Sequence, residues 1–160
     1  MPMPGPFVVA LAVVTGALAA GEHARADEVY LRIAPPDAEM PAYSNARAPL
    51  EITSDLAPGK TKRSEFTWKG ARYRVEVAAR RRPREDQVEE GTVDWSARVS
   101  RGGKLVSAYT IQTYARFPTN CGTSPNAVFD GLWIVIGVAP RGEAARQCEA
   151  IVKAARRGHV

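Results

Sequence analysis

The chain has 160 residues, 45% hydrophobic and 24% charged, with a formal net charge of +5, two cysteines and two histidines. This is an ordinary composition for one globular domain with a real core. So little histidine excludes metal sites and catalytic triads built on imidazole, and the modest positive excess favours anionic partners in general without specifying one.

Residues 7–20, FVVALAVVTGALAA, contain no charge. The run is too short to cross a ~30 Å hydrocarbon core as a helix, but it has the length of a signal peptide's apolar region. Ala24-Arg25-Ala26 then supplies the small-x-small pattern of a cleavage site. Cleavage is expected after Ala26, with residues 1–26 as signal peptide and a mature chain opening at Asp27. The leading MPMPGP departs from the usual pattern, since it holds no Lys or Arg. No cysteine lies near the cleavage site to take a lipid, and no later run is long enough to span a membrane. The expected destination is the periplasm or the extracellular space. Residues 27–160 lose one acid, Glu22, and one base, Arg25, and keep the charge of +5.

DEVYLRI, residues 27–33, reads as an opening strand. Residues 34–63 are rich in Pro, Ala and small polar groups. They read as an irregular arm with one short strand near 50–53. The arm is expected to belong to one domain with residues 64–160. From 64 the alternation is strict. Phe66 and Trp68 share a face with Ala71, Tyr73, Val75 and Val77 across a Lys69-Gly70 turn, and Arg72, Arg74 and Glu76 take the other face. TVDWSARV repeats the pattern, with Val93, Trp95, Ala97 and Val99 inward and Asp94, Ser96 and Arg98 outward. KLVSAYTIQTYARF follows Gly102-Gly103. A three-residue loop with a glycine bulge pairs Val99 with Leu105, Trp95 with Tyr109 and Val93 with Ile111. The last strand, FDGLWIVIGVA at 129–139, is apolar on both faces and needs cover on both. A C-terminal helix supplies one cover and the arm is the candidate for the other.

That helix follows Pro140. Its small and apolar residues at 144, 145, 148, 151, 152 and 155 form one buried face. Cys148 therefore points inward. Cys121 lies in the turn-rich PTNCGTSPN. In an exported chain, two cysteines are read as a bridge, and no C-x-x-C motif or internal histidine argues for a reactive thiol. The expected fold is α+β: an antiparallel meander of about five strands with the helix packed on one face and stapled by Cys121–Cys148. A small barrel or sandwich with a terminal helix is the alternative.

No cofactor or metal is expected. Paired carboxylates are the one catalytic chemistry that needs no histidine. Glu76 and Asp94, outward on successive strands, are the candidate pair, since glycoside hydrolysis needs two carboxyls ~5–9 Å apart. Flanking arginines favour cross-strand ion pairs there instead. The acidic run at Glu85, Asp86, Glu89 and Glu90 lacks the spacing of a calcium loop. The most distinctive feature is basic: Arg80, Arg81, Arg82 and Arg84 follow a strand carrying Arg72 and Arg74 outward, with Arg98 on its neighbour. Guanidinium groups suit phosphate and carboxylate. No aromatics interleave them, which argues against nucleic acid.

The residues match no family pattern. The expected function is a non-enzymatic binding or accessory protein of the cell envelope, contacting an anionic envelope component or an acidic protein. The alternative is a secreted inhibitor or immunity-type protein that presents loop 118–126. A small carboxylate hydrolase ranks last. Oligomeric state has no signal in the sequence.

Overall fold

Period-two alternation on residues 64–81 and 93–113, and a doubly apolar strand at 133–139, resolve into two sheets rather than one. The computed structural model describes residues 27–36, 47–123 and 129–157. The expected signal peptide, the arm residues 37–46 and loop residues 124–126 lie outside the described residues.

The first sheet holds four antiparallel strands in the order β2 (Leu50–Leu56), β1 (Asp27–Ala34), β8 (Trp133–Ala139) and β7 (Asn120–Thr123). The second is a four-strand meander: β3 (Thr61–Trp68), β4 (Ala71–Arg81), β5 (Val93–Arg101) and β6 (Lys104–Thr113). The meander is thus one strand shorter than expected, because β8 joins the other sheet. One buried cluster contains Val29, Leu31 and Ile33 of β1, Ile134, Ile136 and Val138 of β8, and Val75, Val77, Trp95 and Val99 of the second sheet. The sheets therefore pack face to face, and the chain is broadly α+β and β-rich. Helix α1 (Ala144–Arg157) lies outside the first sheet. Its Ala144 and Cys148 pack with Tyr30, Val135 and Ala139. β8 is covered on both sides, as its composition requires, and among the described residues the second cover is the β3–β6 sheet.

Three local details differ from the sequence reading. The arm is shorter than its composition indicated, since β2 extends to Leu56 and β3 begins at Thr61. The sequence reading began the last strand at Phe129. Residues 129–132 form instead a tight turn, with Phe129 bridged to Leu132, before β8 begins. The β5–β6 register also moves. The turn is the two-residue Gly102-Gly103, with Arg101 opposite Lys104. A bulge then intervenes between Val99 and Ser100, leaving Trp95 opposite Ile111 and Val93 opposite Thr113. An extra residue on one strand shifts every later pair by one. The three-residue loop, by contrast, would have placed Tyr109 opposite Trp95.

Trp95 is fully buried between Ala79 and Ile111. Its Nε1 donates to Thr113 Oγ1 at 2.8 Å. The large ring stands opposite a small alanine, a pairing that suits the close packing of an interior. Helix α1 is fixed in two ways. Glu28 accepts from the backbone N–H groups of Gly142 at 2.7 Å and Ala144 at 2.9 Å, which caps the helix start from a strand. Cys148 is bonded to Cys121, with Cα atoms 5.4 Å apart. Gly137, opposite Cys121 in the ladder, makes room for this bridge: a Cβ there would lie 2.1 Å from Cys148 Sγ.

Thr113→Val leaves the Trp95 N–H buried without a partner. It is expected to cost about 1–3 kcal/mol, read as a lower midpoint in urea unfolding of the oxidised protein. The double variant Cys121→Ser, Cys148→Ser is expected to lose about 3–4 kcal/mol, from the entropy of the span it no longer closes. The same unfolding curve measures it.

Candidate functional site

The two sheets differ in their outer faces. The first is overlaid by α1. The outer face of the β3–β6 sheet is overlaid by no other element among the described residues. Its residues follow from the pleat. β3 contributes Arg63, Glu65 and Thr67. β4 contributes Arg72, Arg74, Glu76, Ala78 and Arg80. β5 contributes Asp94, Ser96, Arg98 and Ser100, and β6 contributes Ala108, Thr110 and Gln112. Five arginines therefore face three carboxylates, over a surface roughly 27 Å along β4 and roughly 14 Å across.

The register sets which charges meet. Arg63, Glu76 and Arg98 form one cross-strand row, and Arg63 Nε bonds Glu76 Oε2 at 2.9 Å. Glu65 and Arg74 form another. Arg74 reaches Glu65 Oε1 at 3.4 Å, while Arg72 takes Glu65 Oε2. The hydrogen bond from Arg72 is the largest influence on Glu65, outweighs the effect of burial, and with Arg74 holds that carboxyl below the usual range. Arg80 stands opposite Asp94. Between the charged rows lies a strip of small residues, Ala78, Ser96 and Thr110.

The candidate arginines divide. Arg72, Arg74, Arg80 and Arg98 share the outer face. Arg81 has the opposite parity and is paired with Val93 at the end of β4. Arg82 turns back, with Nε 2.8 Å from Asp94 Oδ2. Gln112 Nε2 donates to the other Asp94 oxygen at 2.8 Å. Burial pushes the Asp94 carboxyl up, but these two bonds and the charges of Arg82 and Arg80 outweigh it, so Asp94 sits below the usual range. Arg84 lies in a short 3-10 turn, Arg84–Asp86. That loop is tied by Gln87, which donates to Arg82 O at 2.6 Å and accepts from Gly91 N at 2.9 Å. Only part of the Arg80–Arg84 run is thus available to a partner: Arg80, Arg81 and Arg84 are exposed and form no ion pair among the described residues.

Two residues of the face were missed in the sequence reading, Arg63 and Glu65. The first residues of β3, Thr61, Lys62 and Arg63, are all polar and exposed, so no alternation marks the strand before Phe66; counting back by two from Thr67 is the signal that places Glu65 and Arg63 on this face. Glu76 and Asp94 are not cross-strand neighbours: Glu76 stands opposite Arg98 and Asp94 opposite Arg80. They stand two rows apart, on the order of 14 Å by strand rise, and each is engaged by its own arginine. That exceeds the ~5–9 Å a glycosidase pair needs. Among the described residues no cluster of His, Cys, Asp or Glu is arranged to hold a metal. Cys121 is not an exposed reactive thiol. It lies on β7 and is bridged to Cys148.

One end of the face is anchored. Asp130 accepts from Tyr73 Oη, and its Oδ2 lies 3.1 Å from Arg101 Nη1. Trp68 Nε1 donates to Asp130 O at 3.0 Å. Phe66 stacks on Tyr73 at 5.0 Å, and Phe129 leans on both rings. The Asp130-Gly131 turn of the first sheet is therefore clamped to the β3–β4 hairpin. Beside that clamp a shallow cavity of about 340 Å³ opens between Glu65, Arg72, Arg74, Ser100, Gly102 and Gly103.

Asp94 gives the acid limb of stability a definite sign. Its folded pKa is depressed below the unfolded value of about 3.8. It therefore contributes stability that is present above the unfolded pKa and is lost as pH falls through the folded one. Asp94→Asn is expected to lower the urea midpoint at pH 7. The gap to the parent is expected to narrow as pH drops below about 4. A constant gap across that range would assign the loss to something other than the charge.

Comparison with protein families, with curated proteins and with solved structures finds no match to this chain.

Proposed function

We propose that the protein is an exported, non-enzymatic binding protein that docks an anionic partner on the outer face of the β3–β6 sheet. One observation carries this reading: the sheet face that no other described element overlays is the one with an arginine excess. An apolar bare face would point to burial against another apolar surface. A face with balanced, fully paired charge would serve solubility alone. Here Arg80 and Arg98 form no ion pair among the described residues, and Arg72 and Arg74 share one carboxylate. The positive field is only partly neutralised, which draws anions to the surface.

Export fits the same picture. The bridge belongs to an oxidising compartment. No helix among the described residues is long and apolar enough to cross a membrane. The partner is an anionic envelope component or an acidic protein. Inhibition by loop 118–126 has less support, since residues 120–123 are edge strand β7. Hydrolysis at Glu76 and Asp94 has less again, given their separation.

The test is a pull-down of tagged mature protein from an envelope fraction at low and high salt. Retention at low salt is expected to fall as salt screens the exposed charges. Replacing Arg72, Arg74, Arg80 and Arg98 together by Ser is expected to weaken it on the order of tenfold or more. Salt-independent retention, unchanged in that variant, would refute docking on this face.

A further inference from the structure

We infer that the cavity at the β3–β4 and β5–β6 hairpin end is a carboxylate site, held by Glu65 in the free protein and taken over by a side-chain carboxylate of an acidic polypeptide partner. The inference rests on the docking reading above and narrows its partner from anions in general to an acidic protein.

The geometry is that of a two-oxygen cradle. Arg72 engages Glu65 Oε2, and Arg74 engages Oε1 through both Nε at 3.4 Å and Nη2 at 3.5 Å. Each guanidinium thus serves one oxygen of a single planar group, the arrangement that recognises carboxylates. The occupant is weakly held. Glu65 is 38% exposed, and its partners Arg72 and Arg74 are 78% and 66% exposed. Exposed ion pairs of this kind contribute little to folding, so an incoming carboxylate displaces Glu65 at small cost.

There is room for the exchange. The cavity of about 340 Å³ is lined by the two arginines, Ser100, Gly102 and Gly103. Both glycines have positive φ, 56° and 79°, and a Cβ on either would meet no atom within 4 Å. The space over that turn is open. On the other side of Arg74 a second recess of about 550 Å³ is lined by Arg63, Ser64 and Glu65. The two recesses meet at Glu65 and Arg74. Their combined lining runs from Gly102 and Gly103 of the β5–β6 turn to Arg63 on the edge strand β3, a path that suits an extended segment carrying successive acidic side chains. Arg63 stands at the far end of that path, one ladder row beyond Arg74.

The backbone under the cradle is pre-set. Tyr73, between the two arginines, is 1% exposed and tied to Asp130. Arg72 and Arg74 consequently leave a fixed strand, and only their side chains must be ordered when a partner binds. That lowers the cost of association.

A fluorescent hexaglutamate peptide is the probe, followed by anisotropy at low and physiological salt, with linear polyphosphate of equal charge as competitor. Glu65→Gln removes the resident carboxylate's charge and is expected to tighten peptide binding roughly 3–10-fold. Arg72→Ala and Arg74→Ala are each expected to weaken it about tenfold, and Arg72→Lys to restore it only in part. All three positions are exposed, and far-UV circular dichroism checks that each variant is folded. Unchanged or weaker binding in Glu65→Gln would overturn the exchange. Polyphosphate displacing the peptide at equal or lower concentration would overturn the preference for carboxylate. Peptide binding that falls in Arg80→Ser, Arg98→Ser but not in Arg72→Ala would overturn the cavity while leaving the broader docking face standing. No binding of either polyanion at low salt would remove both.

Discussion

Strand β8 has no polar side, and that constraint organises the molecule. Ile134, Ile136 and Val138 point one way, and Val135 and Ala139 the other, all buried. A strand of this kind is stable only between two apolar layers. One layer is the inner face of the β3–β6 sheet. The other is α1, which is short and needs fixing. The Glu28 cap at its start and the Cys121–Cys148 bond in its second turn hold it against the sheet. Gly137 belongs to the same constraint, because any side chain there would occupy the position of the Cys148 sulfur.

Covering β8 commits α1 to the first sheet. The second sheet is left with a single apolar face, so its strands must alternate, and they do. Its outward positions are thereby released from the core. Arginines at these positions contribute nothing to burial, and their pairing with Glu65, Glu76 and Asp94 leaves charge over. The asymmetry between the two sheets is what gives the molecule one charged, uncovered side. It also separates the roles of the titratable groups. Asp94 is held by Arg82 and Gln112 and secures the loop that follows β4. Glu65 is held only by exposed arginines and is available for exchange.

Legibility in the sequence followed burial. Where one face is buried and one is wet, period two is unambiguous, and the strands from Phe66 to Val77 and from Val93 to Val99 read correctly down to the Lys69-Gly70 turn. Phe66 lies opposite Tyr73, and Trp68 opposite Ala71. The inward direction of Cys148 was readable for the same reason, from helical spacing. The assignment of β8 to a sheet was not legible, because a doubly apolar strand pairs equally well with either. The β5–β6 register was obscured by its bulge: two glycines fit a three-residue loop as well as a tight turn, and no local residue marks the extra one on β6. The candidate site was half legible. Alternation identified Arg72, Arg74 and Arg98 as neighbours on one face, but a run such as Arg80–Arg84 leaves its strand partway, and composition does not say where. Arg82 consequently turned out to be an internal partner of Asp94.

The clamp at Asp130 joins these threads. A positive φ of 48° at Asp130 and 76° at Gly131 turns the chain sharply enough to aim the carboxylate at the second sheet. There it meets Tyr73 and Arg101, while its carbonyl meets Trp68. Burial and this hydrogen bond push the Tyr73 hydroxyl up, so it stays protonated and remains a donor well into alkaline pH. Arg101 is thereby committed to Asp130 and stays out of the neighbouring cradle. Arg72 and Arg74, one residue to either side of Tyr73, are left as the pair facing Glu65. A contact that fastens the two sheets therefore also determines which arginines at this end remain available to a partner.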